Sequence, residues 1–325
     1  MEELSMAAAS HQQAGADTAA LDLAVAVSAY NEAAHLRDCL RALAVAGRGL
    51  RMDVTVVVNG STDRSAEVAT AAMRETGLRG RVCQIAYADK SNAFNQYVYR
   101  LRVAAPVHVF VDAYATVAPD ALSLLLQALR NAPLAHAAAA VPSSGRSARH
   151  LRDQMLEVPS IHGSLFAMRG AFLDRIAGQN VRLPLNFYRG DGLISSLVLH
   201  DLDAQSGDWQ HQWMVVEPRA TWTAPTLRLW RWRDARRQLR RLVQQARGRL
   251  QWHPVKGAIY QGGFAAMPPQ ADQATLDWLQ AIPASHHPRW WRDPFATLAV
   301  RRMRALPPAP PEQDLLPRVV ARFTP

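Results

Sequence analysis

The 325-residue sequence contains little cysteine, since Cys39 and Cys83 are the only two. Neither has the spacing of a metal site or of a disulfide framework, which argues against small disulfide-built scaffolds and cysteine-ligated zinc modules. Each cysteine lies in an apolar helix or strand pattern. We therefore predict two buried thiols.

Long apolar runs are also missing, because no stretch approaches the roughly 18 to 20 residues that a membrane span needs. The first twenty residues begin acidic and lack a basic region followed by an apolar core, so they do not resemble a secretory signal. We expect residues 1–20 to be a disordered leader. We expect a cytoplasmic protein, either free or peripheral at the inner face of the membrane.

Acidic residues are few compared with basic ones, 27 against 37, which gives a net charge of +10. Such an excess predicts an anionic partner, and nucleotides, nucleic acid and anionic lipid all qualify. The hydrophobic content of 49% is ample for a buried core.

Strand and helix patterns alternate through the first part of the chain. The apolar runs LDLAVAVS, MDVTVVV, RVCQIAYA and VHVFVDA read as strands, and the continuous first run fits a strand covered on both faces. A helical pattern follows each of them, the first with Asn31 as the expected cap and Gly47 as the expected stop. This alternation predicts an α/β fold with a mostly parallel, Rossmann-like sheet and ligand contacts at the strand ends.

One strand end stands out, because VHVFVDA carries Asp112 where an open α/β sheet holds its ligand. A second acid two positions later would complete a metal site, but Tyr114 stands there.

The order of motifs resembles the family-two glycosyltransferases, which have the GT-A fold and invert the anomeric centre of a nucleotide sugar. The resemblance covers about residues 22–220, and the segments that carry it are VSAYNEAAHLRDCLRAL, VVVNGSTDRSAEVA, DKSNAFNQYV, VFVDAYATVAPDAL, HGSLFAMRGAFL and RGDGLISSLV. It implies a GT-A domain over 21–224, with a nucleotide-sugar half at about 21–120 and an acceptor half at about 121–224.

The resemblance implies a donor site made of Ser28, Tyr30, Glu32, Asn59, Lys90 and Asp112. Tyr30 would lie against the nucleobase, Glu32 would approach base or ribose, and Lys90 would approach the diphosphate. Simpler alternatives remain open: Glu32 only opens a helix, and Lys90 is a solvated residue at a helix start. Ser61 and Asp63 are predicted to be turn and cap residues.

A divalent cation is the cofactor that the resemblance implies, held in the family by an Asp-x-Asp signature. This chain keeps Asp112 but has Ala113 and Tyr114 in the other two places. The first prediction is that Asp112 binds Mn²⁺ or Mg²⁺ weakly and only together with the donor. The alternative is a leaving group stabilised by Lys90 with no metal.

On the acceptor side, the resemblance makes Asp191 the general base, while Gly190 replaces the acid that many members have before it. His162 and Gly163 would lie beside the acceptor. The alternative for Asp191 is a helix cap. His211 is a further, weaker candidate for a metal ligand.

The last part of the chain, 225–325, is predicted to be a basic amphipathic helix followed by an irregular Pro- and Trp-rich segment with short helices. An apolar stripe runs between arginines, through Trp232, Ala235, Leu239, Leu242, Val243, Ala246 and Leu250. It fits either an anionic membrane surface or packing on the catalytic domain, and nucleic-acid binding is disfavoured.

The predicted function is transfer of a sugar from a nucleoside-diphosphate sugar to a hydroxyl acceptor with inversion. Acids are lost at Val58, Tyr114 and Gly190, so a catalytically silent relative that binds nucleotide sugar or a partner enzyme is the alternative. A nucleotidyltransferase is disfavoured, because SAYNEAAHL contains no glycine for a phosphate-binding loop.

Overall fold

The computed structural model describes residues 20–145, 148–205, 207–225, 232–305 and 309–324, with the side chains of 232–235 and 237 left out. The predicted leader therefore lies outside the described residues, apart from Ala20. The strands are β1 (Leu23–Ala29), β2 (Met52–Asn59), β3 (Gly80–Ile85), β4 (Val107–Asp112), β5 (Thr116–Val117), β6 (Ala137–Pro142), β7 (Leu165–Arg169), β8 (Met214–Thr223) and β9 (Arg318–Phe323).

Helices connect and cover these strands. They are α1 (Leu36–Ala46), α2 (Ser65–Thr76), α3 (Lys90–Gln96, continued by a π-turn at Tyr97–Leu101), α4 (Ala121–Asn131), α5 (Ala148–Glu157), α6 (Gly170–Gly178), α7 (Gly190–Leu199), α8 (Trp232–Gly262), α9 (Ala271–Ala281), α10 (Pro294–Ala305) and α11 (Glu312–Leu315).

The strands form one sheet in the order β5-β8-β6-β7-β4-β1-β2-β3-β9. Strands β1 to β4 are mutually parallel, β6 and β8 run in the same direction, and β5, β7 and β9 run against them. The prediction of a mostly parallel sheet flanked by helices is confirmed. Parallel strands end at one edge, which places Ser28 directly beside Asp112.

Apolar side chains cover both faces of the central strands, as the valine-rich runs predict. On one face, Leu36, Leu40 and Leu43 of α1 are fully buried. Burying each leucine side chain contributes about 1.5 to 3 kcal/mol. On the other face, Phe110 of β4 stacks on Phe166 of β7 at 4.8 Å between ring centroids. Both cysteines are buried and free, as predicted.

The start of the first helix differs from the prediction, because Asn31 is not its cap. Helix α1 begins at Leu36 after His35, which makes no side-chain capping bond. Asn31 instead has a positive φ of 54° in the loop after β1. The predicted stop is confirmed, since the N–H of Gly47 donates to the carbonyl of Leu43 at 2.8 Å.

The basic helix α8 packs against helices α9 and α10. Its stripe residues Val243 and Ala246 are buried, and Val243 lies in a cluster with Leu279 of α9 and Val300 of α10. The predicted helix is therefore confirmed, and it continues past Leu250 to Gly262 with Pro254 inside it. The described part of the stripe mostly meets protein, although Leu239 is half exposed.

The end of the chain contains an element that was not predicted. Strand β9 pairs antiparallel with β3, from Gly80 opposite Phe323 to Gln84 opposite Arg318. The expected irregular segment thus includes a regular edge strand. The division of the chain at residue 224 stays a prediction, and the sheet takes strands from both sides of it. No helix among the described residues is long and apolar enough to cross a membrane.

Candidate active site

The loops after β1 and β2 are tied together at the carboxyl edge of the sheet. The side-chain oxygen of Asn31 accepts from the backbone N–H groups of Thr62 at 2.8 Å and Asp63 at 3.3 Å. The Asp63 carboxylate accepts in return from the N–H of Ala33 and from Ser65. Burial disfavours its charge, but these hydrogen bonds outweigh burial and lower the pKa of Asp63. The two loops therefore form one rigid platform.

Tyr30 and Glu32 lie in the loop after β1 and differ in their exposure to solvent. Tyr30 is 53% exposed, so its ring is accessible to a ligand. Glu32 is buried, and its backbone N–H donates to the hydroxyl of Ser65 at 3.0 Å. An exposed ring beside a buried carboxylate offers a stacking surface with a polar group at its base.

Asn59 ends β2 and is buried next to β1. Its amide donates to the carbonyl of Ala29 at 3.2 Å and to the hydroxyl of Ser28 at 3.4 Å. Gly60 follows with φ of 62°, and a Cβ atom there would lie 2.3 Å from that of Ala88. Glycine is required because the conformation is left-handed and the loop before α3 approaches closely.

Lys90 is the first residue of α3, and the position of this helix is fixed by Asp89. One oxygen of the Asp89 carboxylate accepts from the N–H of Asn92 at 2.9 Å, and the other accepts from the N–H of Asn186. The cap thus ties the start of α3 to the segment that leads into α7. The Lys90 side chain is half exposed and extends towards the end of β4.

Three charged groups meet at the carboxyl edge. The Nζ atom of Lys90 lies 2.8 Å from Oδ1 and 3.0 Å from Oδ2 of Asp112, and 3.5 Å from Oδ1 of Asp191. The N–H of Gly163 donates to Oδ2 of Asp191 at 3.0 Å. The Asp112 side chain is 10% exposed, whereas the Asp191 side chain is 38% exposed. One ammonium therefore bridges a buried carboxylate and a partly exposed carboxylate.

The side chain of Tyr114 lies against Asp112. Its hydroxyl donates to Oδ2 of Asp112 at 2.9 Å and lies 3.1 Å from the hydroxyl of Ser164. Ser164 in turn lies 3.2 Å from Nδ1 of His162, whose ring packs on Trp222 at 5.0 Å between centroids. A hydrogen-bonded chain thus runs from the buried carboxylate of Asp112 to the imidazole of His162.

The charges at this edge shift several pKa values. Burial opposes the ammonium of Lys90, but Asp112 and Asp191 outweigh it and raise the pKa of Lys90. Burial raises the pKa of Tyr114, and the neighbouring Asp112 adds to the shift. Burial lowers the pKa of His162 although Asp191 opposes this. At neutral pH the cluster therefore holds a charged lysine, a neutral phenol and a neutral imidazole.

Comparison with known proteins agrees with this geometry. Residues 24–187 match the family described as Glycosyl transferase family 2, which is just over half of the chain. The chain belongs to glycosyl transferase family 2. The match spans the first strand, the Lys90 helix, Asp112 and Gly163, and it ends before Asp191. No curated protein matches the chain significantly.

Solved structures confirm the GT-A fold of this family 2 glycosyltransferase. A mannosyltransferase from Pyrobaculum calidifontis, PcManGT in complex with GDP-Man and Mn²⁺, is 18% identical with a TM-score of 0.57, covering 91% of this chain and 78% of its own. Glucosyl-3-phosphoglycerate synthase from Mycobacterium tuberculosis, in complex with phosphoglyceric acid, is 13% identical with a TM-score of 0.50, covering 71% and 78%.

A resident divalent cation does not fit the side chains that this family 2 member presents. Both oxygens of Asp112 already meet the Lys90 ammonium, and one also accepts from Tyr114. A hard cation takes about six oxygen ligands. The described residues contain no group of three His, Cys, Asp or Glu side chains that could hold a metal ion. The other candidate is His211, which lies just before β8. It is therefore near the amino ends of the parallel strands, whereas Asp112 lies at their carboxyl ends.

The structure also shows contacts that the sequence did not reveal. Gln251 of α8 donates to the carbonyl of Asn186 at 2.8 Å and accepts from the N–H of Tyr188 at 3.0 Å. It also donates to Asp272 of α9, which forms a salt bridge with Arg247. The C-terminal helices thus hold the segment before Asp191. No signal in the sequence marks this pairing, because its members are far apart along the chain.

Proposed function

We propose that the protein transfers a sugar from a nucleoside-diphosphate sugar to a hydroxyl acceptor with inversion. The observation that carries the proposal is the convergence of Asp112, Lys90 and Asp191 at the carboxyl edge of a family 2 GT-A sheet, within 3.5 Å of one ammonium. Ligands of open α/β sheets bind at this edge.

The donor side of the site comprises Ser28, Tyr30, Glu32, Asn59, Lys90 and Asp112. Tyr30 stacks on the base, because its ring is exposed above a rigid platform. Glu32 accepts from base or ribose. Asn59 acts indirectly, since its amide is bonded to β1 and fixes the platform's position. GDP-Man in PcManGT supports a nucleoside-diphosphate sugar as the class of donor.

The acceptor side comprises Asp191, His162 and Gly163. In an inverting transfer the acceptor hydroxyl attacks the anomeric carbon opposite the diphosphate, and its proton passes to a base. The Asp191 side chain is partly exposed and is oriented by the N–H of Gly163, so it is the base in this proposal. It is also a first-turn residue of α7, but its carboxylate meets Gly163 and Lys90, which favours a role beyond capping.

A catalytically silent, nucleotide-sugar-binding protein is the competing function. The pure protein should be screened for thermal stabilisation against nucleoside diphosphates and their sugars, since a ligand at about 100 times its Kd adds roughly 2.7 kcal/mol. Stabilising donors are then incubated with candidate acceptors, and NMR reads the anomeric configuration of the product. Inverted product supports the proposal, and binding without any turnover of donor favours the silent protein.

Contact with an anionic membrane surface is a further part of the proposal. The exposed pair Trp290 and Trp291, 68% and 74% exposed, lies between Arg289 and Arg292. Tryptophan beside arginine is typical of the membrane interface. This pair is an exposed apolar surface, whereas the described apolar stripe of α8 is mostly buried against α9 and α10.

A further inference from the structure

The position of Lys90 is the most informative feature of the site. Its Nζ atom lies within 3.0 Å of both oxygens of Asp112 and 3.5 Å from Asp191. Among the described residues, Lys90 bonds to both carboxylates, whereas Tyr114 bonds only to Asp112 and Gly163 only to Asp191. The ammonium therefore occupies the centre of a site in which a divalent cation would have to displace it.

The hydroxyl of Tyr114 completes this arrangement. It stands where the second acid of an Asp-x-Asp pair would stand, and it donates a hydrogen bond to Asp112 at 2.9 Å. A phenol that donates to a carboxylate has no charge to offer a metal, and burial keeps it neutral by raising its pKa. The substitution thus removes a cation ligand and replaces it with a partner for the remaining carboxylate.

We propose that Lys90 takes the place of the divalent cation, so that this glycosyltransferase binds its nucleoside diphosphate and transfers sugar without metal. The inference rests on the proposed function, because it assigns the group that meets the diphosphate. Lys90 is half exposed, so its ammonium can leave Asp191 and pair with a phosphate oxygen while it stays beside Asp112.

The transfer step balances without a further reactant. The bond between the anomeric carbon and the diphosphate oxygen breaks, and its electron pair stays on that oxygen. A bond forms between the anomeric carbon and the acceptor oxygen, whose proton passes to Asp191. The negative charge that develops on the diphosphate is stabilised by the Lys90 ammonium. When Lys90 turns to the phosphate, Asp191 loses its bridging cation and is free to accept the proton.

The charge of Lys90 is secure in this site. The two carboxylates raise its pKa, so the ammonium is charged at neutral pH. A lysine is a compact point charge with rotatable donors, which suits a phosphate that moves as the bond breaks.

Calorimetric titration of the full chain with UDP and with GDP, in EDTA and in Mn²⁺, tests the inference. We expect the preferred diphosphate to bind with a Kd that differs by less than about threefold between the two conditions. Lys90→Ala should weaken binding in EDTA by about tenfold or more, the loss of a charge-assisted contact. Lys256→Ala is the matched control, because it removes the chain's other lysine from the exposed side of α8.

A second variant keeps the inference falsifiable if Lys90→Ala does not fold. Tyr114→Asp restores a second acid, and we expect it to make binding of the diphosphate depend on Mn²⁺. Wild-type binding that requires Mn²⁺ would overturn the inference and leave the proposed function standing. Failure of UDP and GDP to bind under either condition would overturn both.

Discussion

The backbone N–H of Gly163 donates a 3.0 Å hydrogen bond to Oδ2 of Asp191. A Cβ atom built on Gly163 would lie 2.5 and 2.6 Å from the two oxygens of that carboxylate and 2.6 Å from Nζ of Lys90. Glycine at this position therefore allows the turn before β7 to contact both the Asp191 carboxylate and the Lys90 ammonium.

Gly163→Ala should reduce transfer by about 10²-fold, because the added methyl displaces Asp191 from its position. Steady-state kinetics measures the loss. The control is Gly178→Ala at the end of α6, where a Cβ meets nothing within 4 Å. Equal activity of both variants would show that Asp191 tolerates movement and is not placed by this contact.

Asp191→Asn should lower the rate of transfer by about 10² to 10⁴-fold, the range for a lost general base. Asparagine keeps an oxygen for the Gly163 N–H, so the fold should be unaffected. Donor binding should not weaken, because the variant only removes a carboxylate that competes with the phosphate for Lys90. Donor affinity by calorimetry, measured beside kcat, separates the two effects. Near-wild-type turnover would reduce Asp191 to a structural residue of the first turn of α7.

Asp272→Ala should destabilise the protein by about 3 to 5 kcal/mol, since it leaves the largely buried guanidinium of Arg247 without its partner. Urea denaturation gives the free energy of unfolding. Asp277→Ala, an exposed residue of the same helix, should change it by less than about 0.5 kcal/mol. Similar values for the two variants would contradict the role given to the Arg247 and Asp272 pair.

His108 should make the protein less stable below pH 6.5. Burial, with a smaller contribution from Arg102, lowers its pKa to about 4, and its Nδ1 lies 2.8 Å from the hydroxyl of Tyr97. Between these pH values the unfolded chain binds a proton that the folded chain refuses. Stability is therefore fully present above pH 6.5 and falls by roughly 3 kcal/mol as pH drops to about 4.

The pH dependence of the unfolding free energy tests this prediction, with His108→Gln as the comparison. The variant has no imidazole at this position, so its stability should fall less steeply over the same range. The same slope in both proteins would assign the acid sensitivity to other groups.

Vesicles that contain anionic lipid should bind the full chain, and replacement of both Trp290 and Trp291 by alanine should weaken that binding. Added salt should weaken it as well, since arginine side chains contribute. Co-sedimentation measures the bound fraction. Trp209→Ala controls for the loss of an exposed tryptophan elsewhere. If the control loses as much binding, the Trp290 and Trp291 pair is not the contact.

The sequence predicts the central sheet well because its signals are local. The valine runs of β1 and β2 are covered on both faces, and this environment produces continuous apolar stretches. Strand β9 was not predicted because a short alternating strand at an edge depends on its partner. The prediction that Asn31 caps α1 was wrong, because Asn31 accepts hydrogen bonds from Thr62 and Asp63, which belong to another loop.

The site is predictable in its members but not in its contacts. Asp112 and Lys90 follow strands, so their common edge can be foreseen. The bridge from Lys90 to Asp191 joins residues about a hundred positions apart and depends on how α7 docks. That contact and the Tyr114 hydrogen bond are the observations from which we propose transfer without a metal. Neither leaves a pattern in the sequence.

Strand β9 and helix α11 connect the end of the fold to the start of α3. The carbonyl of Asp314 accepts from the N–H of Tyr87, and that of Leu315 accepts from the side chain of Asn92, both at 2.9 Å. These bonds lie on either side of Lys90 and join residues more than two hundred positions apart along the chain. The start of α3 is therefore held by the same segment that carries β9, and amide exchange in β9 and at the start of α3 should occur in the same opening event.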